Sequence, residues 1–133
     1  VKVACETDFV AKTDDFQNLS KDIAMHIAAS APMSISREEI PSDTLDREKE
    51  IYTDQAKQSG KPENIIEKMI DGRLNKFYQE NVLLEQTFVK DPDKTVQDLI
   101  TDTVAKLGEN IIISRFSRFQ LGEKTNNSNP SNN

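Results

Sequence analysis

Few residues in this sequence have the types and spacing that bond-making chemistry requires. Cys5 is the single cysteine and His26 the single histidine, and neither has a nearby motif that would make it a nucleophile or a base. No glycine-rich loop ends in Lys-Ser or Lys-Thr, and no two histidines flank a glutamate at helical spacing. Carboxylate pairs such as Asp14-Asp15 are common at solvated helix starts. The sequence therefore predicts a protein that binds another protein, and not an enzyme.

The charge balance bears on nucleic-acid binding. The 133 residues carry a net charge of −6 with a pI near 4.8, which disfavours sequence-independent contact with phosphate backbones. One basic run, Arg115-Phe116-Ser117-Arg118-Phe119, interleaves arginine with aromatic residues. It is interpreted as a β-strand with phenylalanine on the core and arginine in water, and the alternative is a surface that stacks on a nucleic-acid strand.

Cysteine usage and hydropathy limit the remaining classes. A lone Cys5 excludes an internal disulfide and a cysteine-only zinc site, and its place in an apolar segment favours a small buried side chain. No apolar run approaches the roughly 20 residues of a membrane-spanning helix, and the first residues lack a secretory signal pattern. A start inside a strand without an initiator Met suggests that the sequence is an N-terminally truncated fragment.

The stretch with the most distinctive composition lies between two rigid elements near the start. Val1 to Cys5 alternate in polarity like a half-buried strand. Thr7 and Asp8 then favour a turn or a local helical start, because their short side chains bond nearby backbone amides. Thr13 is a second helix start. A compact turn is therefore expected to present Asp8 and Phe9.

Helical periodicity dominates the middle of the chain. The first long helix should end at Ala31, because Pro32 disfavours helical geometry in the residue before it. His26 lies at the margin of its apolar stripe and is interpreted as a structural histidine, in preference to a metal ligand or a base. Ser36 to Glu39 has the spacing of a capping box. A helix from about Ser42 to Gly60 and another from about Pro62 to Asn81 should form an antiparallel pair.

The last third should return the chain to a strand. Asp91-Pro92-Asp93 is predicted as a turn, and Thr95 should cap a helix that Gly108 ends. Residues 111–121 should form a strand that pairs with Val1 to Cys5. The predicted fold class is α+β, a small antiparallel sheet built from both chain ends with a helix-pair insertion. Residues 1–123 form the domain, and the polar tail 124–133 is expected to be disordered.

Two motifs at the two ends of the domain resemble one family. Thr7-Asp8-Phe9-Val10 with its flanking residues, and the later Gly108-Glu109-Asn110-Ile111, look like translation elongation factor Ts, and residues 23–29 (IAMHIAA) match the helix between them. The similarity covers Val1 to about Glu123. Members of this family exchange guanine nucleotide on the GTPase EF-Tu.

The resemblance implies a partner and a mechanism. The partner is EF-Tu, and the site is the turn of Thr7, Asp8, Phe9 and Val10, which would enter near the nucleotide's Mg²⁺ and phosphates. Phe9 would act as a wedge and Asp8 would redirect polar contacts that support Mg²⁺, while Thr7 and Val10 would shape the turn. The metal belongs to the partner, and no cofactor is expected in this chain.

Several alternatives stay open at this point. Asp8 could instead cap a helix while Phe9 packs inward, as in any α+β domain. The acidic helices from Ser42 to Asn81 could form an interaction module unrelated to GTPases. The resemblance also implies homodimerisation and a location in the bacterial cytoplasm, or in an organelle matrix or stroma. Family members usually carry a small N-terminal helical domain and further strands that precede Val1.

Overall fold

Strands from the two ends of the chain pair directly with each other. The computed structural model describes residues 1–123. Strand β1 (Lys2–Cys5) runs antiparallel to β4 (Ile111–Arg115), with Val3 opposite Ile113 and Cys5 opposite Ile111. Alternation places Val3, Cys5, Ile111 and Ile113 against the hydrophobic core. The α+β class is confirmed, whereas the predicted tail 124–133 lies outside the described residues.

The last strand is shorter than predicted. It ends at Arg115, where the ladder with β1 also ends at Lys2, and residues 116–120 take no regular structure. Arg118 instead donates from Nε and Nη2 to the carbonyl of Ala28, at 3.3 and 3.2 Å. Phe119 is 87% exposed and does not pack on the core. The predicted strand through residue 121 is therefore wrong, because alternation alone forms no strand without a partner ladder.

Two consecutive helices follow β1, each capped by a threonine. Helix α1 (Asp8–Ala11) is a single turn, and α2 (Asp14–Ser30) begins at Thr13, whose hydroxyl accepts from the Phe16 amide at 3.2 Å. The C-cap of α2 is Ala31, in left-handed geometry with φ of 47°. Since Pro32 disfavours the right-handed helical region at this position, the predicted helix end is confirmed to within one residue.

The single histidine is a core residue of α2. His26 has no exposed surface, its Nε2 lies 2.9 Å from Gln86 Oε1, and its Nδ1 accepts from the Val89 amide at 3.3 Å. Its ring lies 6.0 Å from that of Phe88. Both ring nitrogens are thus occupied inside the protein, and the interpretation as a structural histidine is confirmed. The core around it comprises Val10, Phe16, Leu19, Ile23, Ile27, Ile35, Leu83, Val96, Ile100 and Ile111.

The insertion is a helix pair with its own small apolar cluster. Helices α3 (Ser42–Gln58) and α4 (Glu63–Asn81) are joined by residues 59–62, as predicted. Ile40, Phe77 and Val82 form the cluster where the pair meets the rest of the domain. Gly72 lies on the exposed side of α4, and a Cβ there would contact nothing within 4 Å.

A short 3₁₀ turn (Arg37–Glu39) precedes the helix pair. The predicted capping box is wrong, since Ser36 makes no capping bond and the Glu39 carboxylate accepts from the Ile35 amide at 3.1 Å. Arg37 donates to both oxygens of Glu85, at 2.6 and 2.7 Å, and lies 4.3 Å from the Tyr78 ring centre. These contacts join the turn to the segment that follows α4.

A hairpin connects this segment to the last helix. Strands β2 (Thr87–Phe88) and β3 (Asp91–Thr95) are antiparallel, and the chain turns at residues 89–90. The predicted turn at Asp91 to Asp93 is therefore displaced. The Asp91 side chain does accept from the Asp93 amide at 3.1 Å, but the backbone stays extended, which an edge strand allows for Pro92. Helix α5 (Val96–Leu107) has the predicted start, with a capping box between Thr95 and Asp98.

Candidate functional site

The turn after β1 is held by a capped single helical turn. Thr7 is extended, with φ of −129° and ψ of 157°, and its Oγ1 accepts from the Val10 amide at 3.4 Å. The Thr7 carbonyl also accepts from the Ala11 amide at 3.3 Å. Thr7 therefore supplies the cap that its residue type favours, and the four residues from Asp8 to Ala11 take a defined helical geometry.

Residues near the other end of the chain form hydrogen bonds with the start of this turn. The Glu109 carboxylate accepts from the Thr7 amide at 3.0 Å and from the Thr7 hydroxyl at 2.5 Å. In the reverse direction, the Glu6 carboxylate accepts from the Asn110 amide at 3.2 Å. Charge-assisted bonds of this kind are stronger than neutral ones. They join the β1–α1 junction to the α5–β4 junction.

Neighbouring residues of α1 divide between core and solvent. Val10 is 8% exposed and belongs to the main core, whereas Phe9 is 79% exposed. Asp8 also faces water and, among the described residues, forms an ion pair with Lys12 alone, at 3.7 Å, through side chains that are 75% and 79% exposed. An exposed pair of this kind adds little stability. The alternative in which Phe9 packs into its own domain is therefore wrong.

Cys5 departs in part from its predicted environment. It is half-buried, and its thiol donates to the Thr7 carbonyl at 3.2 Å. This bond links the end of β1 to the residue that caps α1. Cys5 thus packs against the core with part of its surface and is partly accessible beside the turn, so the prediction of a buried side chain is confirmed only in part.

Three groups with raised pKa values lie on other elements. The hydrogen bond to Glu85 raises the pKa of Arg37, burial raises the pKa of the Tyr52 hydroxyl, and the hydrogen bond to Asp102 raises the pKa of Lys94. Each shift strengthens the protonated form of its group, so none supplies a base near neutral pH. Within residues 1–123, no three metal-ligating side chains lie close enough to hold an ion.

The basic run near the end of the chain is partly engaged inside the domain. Arg118 binds the last turn of α2 through the Ala28 carbonyl, while Arg115 pairs with Lys2 across the ladder. Phe116 is half-buried against the core, in contrast to Phe119. A nucleic-acid surface needs exposed cations along one groove. Because Arg118 is hydrogen-bonded within the domain, this run is less suited to bind a nucleic-acid strand.

Membrane insertion has no candidate segment in the described part of the chain. Among the helices of residues 1–123, none combines the length and the apolar character needed to cross a bilayer. The longest, α4, carries charged side chains along most of its length.

The fold and the exposed turn define a structural class: an α+β domain whose two chain ends pair as strands and whose first helical turn exposes an aromatic ring. A family model described as Elongation factor TS matches residues 17–123. The chain belongs to the elongation factor Ts family, a family of translation elongation factors. The region matched by the family model begins after the turn of residues 7–10.

Several bacterial proteins named Elongation factor Ts are similar to the chain over 123 residues, 92% of its length. The identity is 60% for the protein of Geobacter sulfurreducens, 61% for that of Geotalea daltonii and 55% for that of Thermoanaerobacter pseudethanolicus. The alignment covers 57% of the first two relatives and 60% of the third. The chain therefore spans less than two thirds of the length of these relatives.

The residue that sequence reasoning left without a role is Glu109. It was part of a matching motif, but its contact with Thr7 lies 102 positions away in the sequence. The predicted pairing of the two chain ends could have indicated this contact, because it brings the residues that flank β1 and β4 together. Periodicity and capping rules describe only near neighbours and give no such contact.

Proposed function

We propose that this chain promotes release of GDP from the translational GTPase EF-Tu. Its turn of Thr7, Asp8, Phe9 and Val10 would enter the partner near the Mg²⁺ and phosphates of the nucleotide. The observation that carries the proposal is the 79% exposure of Phe9 on a capped and anchored turn. A ring left in water without a partner in its own domain is suited to a pocket in another protein.

The physical basis is differential binding. A partner that binds nucleotide-free EF-Tu more tightly than the GDP-bound form must weaken GDP binding by the same coupling free energy. No bond needs to form or break in this chain. The scarcity of catalytic side chains in the sequence is consistent with such a role.

The four residues of the turn would have different roles. Phe9 brings a large apolar area with only two side-chain torsions to fix. Asp8 places a solvated carboxylate beside the ring, where it would compete for polar groups that support Mg²⁺ and so weaken the metal's hold on the β-phosphate. Thr7 caps the turn and Val10 fastens it to the core. The first two would act on EF-Tu, and the other two present them.

The direct test is the release of fluorescent GDP from EF-Tu with the 133-residue chain. We expect acceleration with the unaltered chain and a fall of at least about tenfold in the maximal rate for Phe9→Ala, since truncation of a central aromatic anchor commonly costs 2 kcal/mol or more. Phe119→Ala is the matched control, because it removes another largely exposed ring, 87% against 79% for Phe9, outside the turn. A Phe9→Ala variant as active as the Phe119→Ala variant would contradict the proposal.

A second candidate rests on the helix pair. Ile51 on α3 and Ile65 on α4 are exposed, which an interaction module unrelated to GTPases would use. In that case binding to a partner would survive Phe9→Ala and would be lost on Ile51→Ser with Ile65→Ser. Tight binding of EF-Tu that depends on Phe9 argues against this alternative.

The remaining expectations concern assembly and location. We propose that two copies associate through the outer edge of β1, since a strand edge with unpaired backbone groups invites pairing. The bacterial origin of the relatives supports placement in the bacterial cytoplasm, where EF-Tu acts.

A further inference from the structure

We infer that Glu109 is the positioning residue that holds the 7–10 turn ready for its partner. The inference rests on the proposed function and adds to it a residue outside the turn. Glu109 lies beyond the C-cap of α5 and accepts two hydrogen bonds from Thr7 of the turn. It would act through Thr7 and would not itself need to touch EF-Tu.

The first observation is the chain of hydrogen bonds that starts at this carboxylate. Oε2 of Glu109 accepts a hydrogen bond from the Thr7 amide, and Oε1 accepts one from the Thr7 hydroxyl. With its proton directed at Glu109, the Thr7 oxygen offers a lone pair to the Val10 amide. Glu109 therefore sets the hydroxyl orientation that the helix cap requires.

The second observation is the shortness of α1. The helix has only four residues, and an isolated helix of this length is unstable in water because nucleation is unfavourable. One buried side chain, Val10, and one partly buried side chain, Ala11, pack it against the core. So small an apolar contact constrains the rotation of the turn only weakly, and the bonds at Thr7 therefore contribute to the direction of Phe9.

The third observation is the rigidity of the element that carries Glu109. Helix α5 is anchored by buried Val96 and Ile100, and its partly buried Leu99, Val104 and Leu107 also pack against the core. Gly108 then takes the left-handed geometry, with φ of 73°, that directs the chain into β4. Glu109 thus connects the turn to a packed helix.

The functional consequence is preorganisation. When only a fraction of molecules holds the binding-competent turn, the apparent dissociation constant rises in inverse proportion to that fraction. Loss of Glu109 should therefore raise the half-saturating concentration for exchange and leave the maximal rate almost unchanged. Phe9→Ala should instead lower the maximal rate, because it removes the wedge itself.

The test compares Glu109→Ala with Glu85→Ala in the 133-residue chain. Glu85 is the matched control, because its carboxylate also accepts two hydrogen bonds from one residue, Arg37, on another part of the domain. For Glu109→Ala we expect backbone order parameters of residues 8–11 to fall from about 0.85 to below about 0.6. We also expect about a tenfold rise in the half-saturating concentration for GDP release from EF-Tu, with the maximal rate within twofold.

The conservative variant separates positioning from general stability. Glu109→Gln keeps one acceptor, for the Thr7 amide, but loses the second acceptor that orients the Thr7 hydroxyl, and should restore part of the order and part of the affinity. Glu85→Ala should lower the unfolding midpoint, measured by far-ultraviolet circular dichroism, without changing either turn order or half-saturation.

Each outcome decides one of the two proposals. Unchanged order parameters at residues 8–11 in Glu109→Ala would overturn the positioning role, whatever the exchange assay gives. Unchanged half-saturation in an active protein would do the same. If the unaltered chain fails to accelerate GDP release, the exchange function is wrong, and the order parameters alone then show whether Glu109 fixes the turn.

Discussion

Phe9 and Val10 are neighbours on one helical turn, yet one side chain lies in water and the other in the core. Successive helix positions differ by about 100°, so a single turn can fasten itself with one residue and display the next. Asp8 and Phe9 then both face solvent. At this scale the candidate site consists of a displayed pair and the two residues, Thr7 and Val10, that hold it.

His26 shows the opposite use of a polar residue. We expect His26→Leu to lower the free energy of unfolding by roughly 2–4 kcal/mol, because Gln86 Oε1 and the Val89 amide would lose their buried partner. Urea denaturation measures this value. Met25→Leu, at the exposed neighbouring position, should change it by less than about 0.5 kcal/mol. Equal midpoints for the two variants would show that the buried bonds contribute little.

Substitution of the glycines at two helix positions tests the backbone geometry of α4 and of the end of α5. Gly108 ends α5 with φ of 73°, whereas Gly72 lies within α4 in open space. Gly108→Ala should destabilise the protein by about 1–2 kcal/mol, since a side chain strains left-handed geometry. Gly72→Ala should stabilise it by about 0.5–1 kcal/mol through reduced unfolded-state entropy.

Both variants replace one glycine with one alanine. A difference in sign between their effects on the free energy of unfolding therefore reports the backbone geometry at the two positions. Thermal unfolding followed by circular dichroism gives both values. Destabilisation by Gly72→Ala would mean that α4 bends at this position or packs against a partner. Stabilisation by Gly108→Ala would contradict the left-handed C-cap.

At the scale of the whole molecule, the pairing of the chain ends creates both the candidate site and a strand edge. Within residues 1–123, β1 has one neighbour in its sheet, β4, so its other edge has no strand paired to it in this part of the chain. If two copies pair there, sedimentation equilibrium should show a dimer whose dissociation constant rises on Ala4→Pro, because proline removes a backbone donor from β1.

The dimer prediction needs a control for folding. The equivalent change at an exposed position outside the sheets, Ser117→Pro, should leave the association unchanged. A monomer at all concentrations, with an intact circular dichroism spectrum, would show that the β1 edge is covered in some other way.

Local signals in the sequence determined most of the elements. Thr13, Thr95 and Gly108 set helix ends that the structure confirms, because caps depend on residues within one turn. Periodicity likewise predicted the buried stripe of α2. The α+β class followed from strand-like segments at both ends and helical ones between them.

Contacts between distant residues needed the tertiary structure. The strand after Gly108 stops at Arg115 because its ladder with β1 stops there, and the hairpin turns at residues 89–90 although Asp91 to Asp93 has turn chemistry. The exposure of Phe9 and the bond from Glu109 to Thr7 depend on how the two ends pack together. The sequence by itself thus determined which residues form the turn, and only the tertiary structure decided which way the turn faces, because the two chain ends that pack together there are about 100 positions apart, as in the hydrogen bond from the Thr7 amide to Glu109 across 102 positions.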